Sequence, residues 1–121
     1  DGKRLSCGGL HKAENPLGAV LDPLVLQFDW DSQQLLRQQV CEGLRGPLWR
    51  IQYLPDGTLI GVMGGASGGW LLFWKPDEEK SFHKFQLPAL ARDGDLSSDF
   101  LLVATSHSDK HLRITKLAPK G

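Results

Sequence analysis

The chain of 121 residues has few cysteines and no closely spaced cysteine pair. Cys7 and Cys41 are too few for a disulfide scaffold, and they lack the CxxC spacing that is typical of many metal sites. We predict two reduced, buried thiols in a cytoplasmic protein. Because Cys7 lies on a predicted strand and Cys41 in the connection after one, the sequence leaves a bridge between them open.

Net charge and long apolar runs are also missing. With 14 basic and 14 acidic residues, the chain has no electrostatic footprint for nucleic acid or for an anionic membrane. No apolar run approaches the ~20 residues that span a bilayer. We therefore predict no nucleic-acid partner and no membrane partner. The start at Asp1-Gly2-Lys3-Arg4 has no signal peptide and no Met, and it lies within a turn motif, which predicts a fragment of a longer protein.

Short apolar runs separated by turn residues are what the chain does contain. In residues 49–75, Pro55-Asp56-Gly57 predicts a tight reversal, because proline presets φ, aspartate caps the turn and glycine accepts positive φ. A second turn falls within 64–69, in the sequence GGASGG. The same reading predicts ten strands near 3–8, 24–30, 34–40, 48–53, 58–63, 69–75, 81–86, 91–96, 101–106 and 111–117. Residues 31–42 could instead form a helix capped by Asp31 or Ser32, because Leu35, Leu36 and Val40 have partial helical spacing.

The strand and turn pattern repeats along the chain. Asp56 aligns with Asp99, a step of 43 residues, and a third copy starts at Asp1, 55 residues before Asp56. The extra length of that step falls in residues 10–23, which we predict to be an inserted loop. A strand unit of about 40 residues is typical of a propeller blade. We predict a single all-β domain, 1–121, with units of about 1–42, 43–87 and 88–121.

The units resemble WD40 repeats over essentially the whole chain, through Pro55-Asp56-Gly57 and the strand 70–75, WLLFWK. The pattern is degenerate. The terminal Trp-Asp pair is absent, Thr115 stands where a tryptophan is expected, and Gly46-Pro47 and Ala91-Arg92 replace the Gly-His pair. The resemblance implies four-stranded antiparallel blades and a non-catalytic interaction scaffold. The resemblance also implies a buried hydrogen-bonded network, of which this chain would keep Asp109 and Thr105 or Ser106 but lack their histidine and tryptophan partners. Each blade would therefore depend more on apolar packing.

The number of blades does not close a ring. About three units fall short of the 4 to 8 blades of closed propellers, and the first unit is expected to lack its innermost strand and the third its outermost. Open ends leave strand edges and apolar faces unpaired, which favours association. The ring would be completed by missing blades or by self-association, and a closed homodimer of about six blades is the favoured assembly.

Several residues suggest chemistry, but each has a simpler structural interpretation. His107, Asp109 and His111 could surround a metal, yet Asp109 is the turn residue that the repeat requires. The glycines of 64–69 precede no helix, which favours a flexible hairpin over a phosphate cradle. Asp93, Asp95 and Asp99 are interpreted as solvated, and no serine lies in a GxSxG motif. We predict no catalytic residue, no metal and no cofactor.

Tryptophan and arginine, which are enriched at binding hot spots, indicate the candidate binding positions. Trp74 is expected in the core between blades, and Trp70 is expected to be partly buried. Trp49, Arg50 and Arg92 begin the innermost strands of two units, so we predict that they line a rim that binds a protein or peptide. The alternative is a small-ligand-binding or enzymatic propeller that uses a central pocket.

Overall fold

The computed structural model describes residues 2–10 and 22–117, which form ten β-strands. These are β1 (Arg4–Leu10), β2 (Pro23–Asp29), β3 (Leu35–Val40), β4 (Leu48–Tyr53), β5 (Leu59–Gly65), β6 (Gly68–Trp74), β7 (His83–Gln86), β8 (Ala91–Leu96), β9 (Leu102–His107) and β10 (Leu112–Lys116). The all-β prediction is confirmed, and each predicted strand lies within two residues of its observed bounds. The helical alternative for residues 31–42 is wrong, because this segment contains β3, which pairs with β2. No described helix is long and apolar enough to cross a membrane.

The strands form three antiparallel sheets in chain order: β1-β2-β3, β4-β5-β6-β7 and β8-β9-β10. Each sheet lies within one of the three predicted units. The first strand of the second sheet, β4, contacts both β1 and β8, so the first strands of the three sheets lie side by side. The first sheet has three described strands, and its first strand, β1, lies beside β4, whereas the first unit was expected to lack its innermost strand.

The turn chemistry repeats between the second and third sheets. Asp56 accepts the backbone N–H of Thr58, and Gly57 has φ +89°. Asp99 likewise accepts the N–H of Leu101, after Phe100 with φ +61°. The third sheet thus keeps the turn with Phe100 in the place of Gly57, although positive φ is uncommon for a bulky residue.

One extra residue follows this repeated turn in the third sheet. The closing N–H to O=C bond joins Leu54 to Thr58 in one sheet and Ser97 to Leu102 in the other. The step of 43 residues therefore becomes 44 beyond the turn. A shift of one residue moves every side chain to the other face of a strand, so the aligned copies are one residue out of register through β9.

An apolar cluster joins the first sheet to the second. Trp74 lies in it fully buried with Val25, Leu48, Leu59, Met63 and Leu72, and its indole Nε1 donates to the carbonyl of Val40 at 2.9 Å. Val40 also forms a parallel bridge with Lys80. The predicted burial of Trp74 and partial burial of Trp70 are confirmed. Cys41 is a buried free thiol, but Cys7 is exposed, so the prediction of two buried thiols is wrong for Cys7.

Glycines allow the third sheet to approach the second. A Cβ on Gly64 would lie 1.8 Å from the carbonyl oxygen of Ala91, and one on Gly69 would lie 2.1 Å from that of Ala89. The predicted hairpin at 64–69 is present, but Gly64 and Gly69 are packed against the neighbouring backbone. Ile60, Val62, Leu71, Leu87, Ala91 and Val103 form the core beside this contact. The predicted insertion at 10–23 lies mostly outside the described residues.

Candidate functional site

Two equivalent β-bulges lie at the starts of β4 and β8. The pairing of β4 with β5 skips Trp49, and the pairing of β8 with β9 skips Arg92. A bulge leaves one residue out of the ladder and redirects its side chain. Both side chains are exposed, and they are 43 residues apart, which is the step of the repeat. Bulges thus present Trp49 and Arg92 at the same end of neighbouring strands, a region that we call the bulge rim.

Trp49 is held in place although half of it faces solvent. Its indole Nε1 donates to the carbonyl oxygen of Gly64 at 3.0 Å, and 51% of the residue is exposed. A tryptophan anchored at one edge loses little conformational freedom when a ligand covers its ring. That arrangement is typical of an aromatic contact residue at an interface.

Arg50 is engaged by the third sheet. Its Nε and one terminal nitrogen donate to the two carboxylate oxygens of Asp93 at 3.0 and 3.3 Å. This hydrogen bond is the main reason why the pKa of Asp93 is lowered, with the N–H of Gly94 adding to it. The pKa of Arg50 is raised by the same pair. Two residues further along the same two strands, Gln52 donates to Asp95 at 3.0 Å, again between positions 43 residues apart.

Arg92 is the cation of the bulge rim that is available to a ligand. Within residues 2–10 and 22–117 it is exposed and has no ion pair. The structure thus places the three predicted residues at one end of β4 and β8, but it commits Arg50 to Asp93. Sequence reasoning missed Asp93 as a partner, and the signal was an opposite charge one repeat after Arg50.

The histidine and aspartate residues proposed for a metal have other partners. Both ring nitrogens of His107 are used, because Nε2 lies 2.7 Å from Thr105 Oγ1 and Nδ1 lies 2.9 Å from the Ala89 carbonyl. Asp109 binds Arg113 through two hydrogen bonds, which are the main cause of its strongly lowered pKa. Among the described residues no group of three or more metal-binding side chains is found. Thr105 therefore has a histidine partner, contrary to expectation, and it comes from its own strand.

Corresponding positions can be read across the second and third sheets from their pairing. In the second sheet, Arg50 pairs with Val62, which pairs in turn with Leu71. In the third sheet, Asp93 pairs with Ser106, which pairs in turn with Leu112. Two residues further along the first strands, the row Gln52, Ile60 and Phe73 corresponds in the same way to the row Asp95, Ala104 and Ile114. Leu112 and Ile114 thus occupy the positions of Leu71 and Phe73.

Exposure differs sharply between these equivalent positions. Leu71 is 0% exposed because the third sheet packs near it, whereas Leu112 is 81% exposed. Ile114 is 70% exposed, and Phe73 is partly buried. Leu102 and Ala104 lie on the same surface, also exposed, and we call it the outer face of the third sheet.

The first sheet carries a comparable surface on its far side. The residues that face away from the second sheet are Leu5, Leu24, Leu26, Phe28 and Leu35, and we call them the outer face of the first sheet. Leu5 and Phe28, with Trp30, line an open groove of about 400 Å³ there. The described chain is therefore apolar at both ends of its row of sheets.

Comparison with known proteins adds no family to these observations. No protein-family model matches the chain, and no curated protein matches it.

Proposed function

We propose that this chain is a WD40-like propeller segment that acts as a non-catalytic protein-interaction scaffold and assembles with copies of itself. The observation that carries the proposal is the exposure of Leu112, at 81%, in a position where the equivalent Leu71 is fully buried. The outer face of the third sheet then packs on the outer face of the first sheet of another copy. Head-to-tail contacts of this kind close into a ring, and two copies give six sheets.

The energetics favour contact over the whole of both faces. Burying Leu112 and Ile114 contributes roughly 3 to 6 kcal/mol. Association costs about 4 to 15 kcal/mol in lost freedom of motion. Two side chains are therefore insufficient for a stable dimer, and the remaining apolar residues of both outer faces are required.

The bulge rim gives such an assembly a place to bind a second protein. Trp49 supplies an anchored aromatic surface and Arg92 an unpaired cation beside it. Arg50 and Asp93 hold β4 and β8 together below them, so the two contact residues keep their spacing. We assign the binding of a protein or peptide to this rim.

Mass measurement tests the assembly. In sedimentation velocity from 1 to 100 μM, the wild-type chain is expected to rise above its monomer mass of 13.4 kDa. The variant Leu112→Glu places a charge in the proposed interface and is expected to remain monomeric. Trp49→Glu is the control, because it places the same charge at an exposed apolar residue outside both outer faces, and it should assemble as the wild type does. A wild-type chain that stays at 13.4 kDa throughout refutes self-assembly.

A further inference from the structure

The edge of the second sheet provides a reference for the edge of the third. In the second sheet, β7 pairs antiparallel with β6, so that Phe85 lies opposite Leu71 and His83 opposite Phe73. The carbonyl of Phe73 accepts the N–H of Phe82, and the carbonyl of Gly69 accepts that of Leu87. The alternate residues of β6 thus use their backbone groups to hold a fourth strand.

The third sheet has the same alternation but no described fourth strand. β10 is the edge strand of its sheet. His111 and Leu117 bond to β9 through their backbone, because His107 N donates to His111 O and Leu117 N donates to Leu101 O. Antiparallel pairing alternates along a strand, so the backbone groups of Leu112 and Ile114 point to the opposite edge. In this position the equivalent residues of the second sheet bind β7.

Side chains at this edge are ready for a cross-strand neighbour. Leu112 and Ile114 are more exposed than any other large apolar residue in the described chain. An edge that combines free backbone groups with exposed aliphatic side chains is a template for strand addition.

The residue between them determines the charge of the partner. Arg113 occupies the position of Leu72, which lies opposite Lys84 in the second sheet. A lysine at the corresponding place in an added strand would lie opposite a guanidinium, and like charges directly opposite destabilise a sheet. A carboxylate there would share Arg113 with Asp109.

We propose that the free edge of β10 binds an extended peptide segment in antiparallel orientation, with apolar residues opposite Leu112 and Ile114 and an acidic residue opposite Arg113. The inference rests on the proposed function, because it names the kind of segment that such a scaffold would capture. The partner contributes a fourth strand, as β7 does for the second sheet.

Fluorescence anisotropy with three labelled peptides tests the inference on the whole chain at low micromolar concentration. The first peptide has the sequence of residues 81–87 with His83→Val and Lys84→Glu, the second has His83→Val alone, and the third is the first with its edge-facing amides N-methylated. We expect the glutamate peptide to bind about fivefold more tightly than the lysine peptide. N-methylation, which removes the donors that strand addition needs, should weaken binding at least tenfold.

A protein variant gives the reciprocal test. Ile114→Pro removes an N–H that points away from β9, and proline is tolerated on edge strands. The variant should unfold at the wild-type temperature and lose the glutamate peptide, whereas Ile114→Thr should retain it. Equal binding of the N-methylated peptide, or unchanged binding by a folded Ile114→Pro, overturns the inference. Either result leaves the mass measurement of self-assembly unaffected, and a monomeric chain that binds the peptide overturns self-assembly alone.

Discussion

Replacing Gly64 by alanine tests whether close backbone contact joins the second and third sheets. The added Cβ would lie 1.8 Å from the carbonyl oxygen of Ala91, where real Cβ contacts are longer than 3.0 Å. To remove this clash the two backbones must separate by about 1 Å, because the carbonyl of Ala91 belongs to the backbone and cannot rotate away as a side chain can. Since interiors are close-packed, such a shift also loosens the apolar core beside the contact. Overpacking typically costs about 1 to 3 kcal/mol, and we expect the upper end, about 3 kcal/mol.

Urea unfolding followed by tryptophan fluorescence measures this loss, with Gly9→Ala as the control. Gly9 has no atom within 4 Å of the Cβ position and no positive φ. Alanine there reduces the freedom of the unfolded chain, so the expected change is between zero and a stabilisation of about 1 kcal/mol. The two substitutions are chemically identical and should act in opposite directions. A Gly64→Ala variant within about 0.5 kcal/mol of the wild type would show that the sheets are not held at this distance.

Two further predictions concern the links between sheets. Arg50→Gln removes the main cause of the low pKa of Asp93, so the pKa measured from the ¹³C shift of its carboxyl carbon should rise, and Arg92→Gln should leave it unchanged. Because the pKa of Asp93 is lowered in the folded state, its contribution to stability is present above the unfolded-state pKa of about 3.9 and is lost as the pH falls through the folded-state pKa. An unchanged pKa of Asp93 in Arg50→Gln would contradict the pairing. Trp74→Phe leaves the Val40 carbonyl without its donor and leaves space in the core, so it should cost about 2 to 4 kcal/mol in urea unfolding. Trp30→Phe changes a residue that is 59% exposed and should cost less than about 0.5 kcal/mol, so similar losses for both variants would refute the role of Trp74.

The sequence predicted the strands well because each is bounded by local turn chemistry. Asp56 and Gly57 specify their turn within a few residues, and the bounds of β4 and β8 follow from that spacing. What the sequence could not predict was register beyond a turn. Leu101 is one extra residue in a loop, and nothing local distinguishes it from the first residue of β9.

The candidate site was predictable only in part for the same reason. The step of 43 residues correctly predicted that Trp49 and Arg92 lie at the same rim, because both residues begin the first strand of a repeated unit. The pair between Arg50 and Asp93 depends on how two sheets pack, and the sequence signals it only by an opposite charge one repeat after Arg50. The approach of Ala91 to Gly64 is likewise a tertiary contact, and the glycines alone indicated a flexible loop.

Hydrogen bonds of His107 tie β9 to the segment that precedes β8. The WD40 resemblance implies a histidine in the segment before the first strand of a unit. Here His107 comes from β9 and reaches the carbonyl of Ala89, within that segment, while its other nitrogen bonds Thr105. The same two parts of the chain are connected, but the histidine is contributed from the opposite side. The function is therefore better sought in the surfaces that the sheets expose, the bulge rim and the two outer faces, than in the motif residues that hold the sheets together.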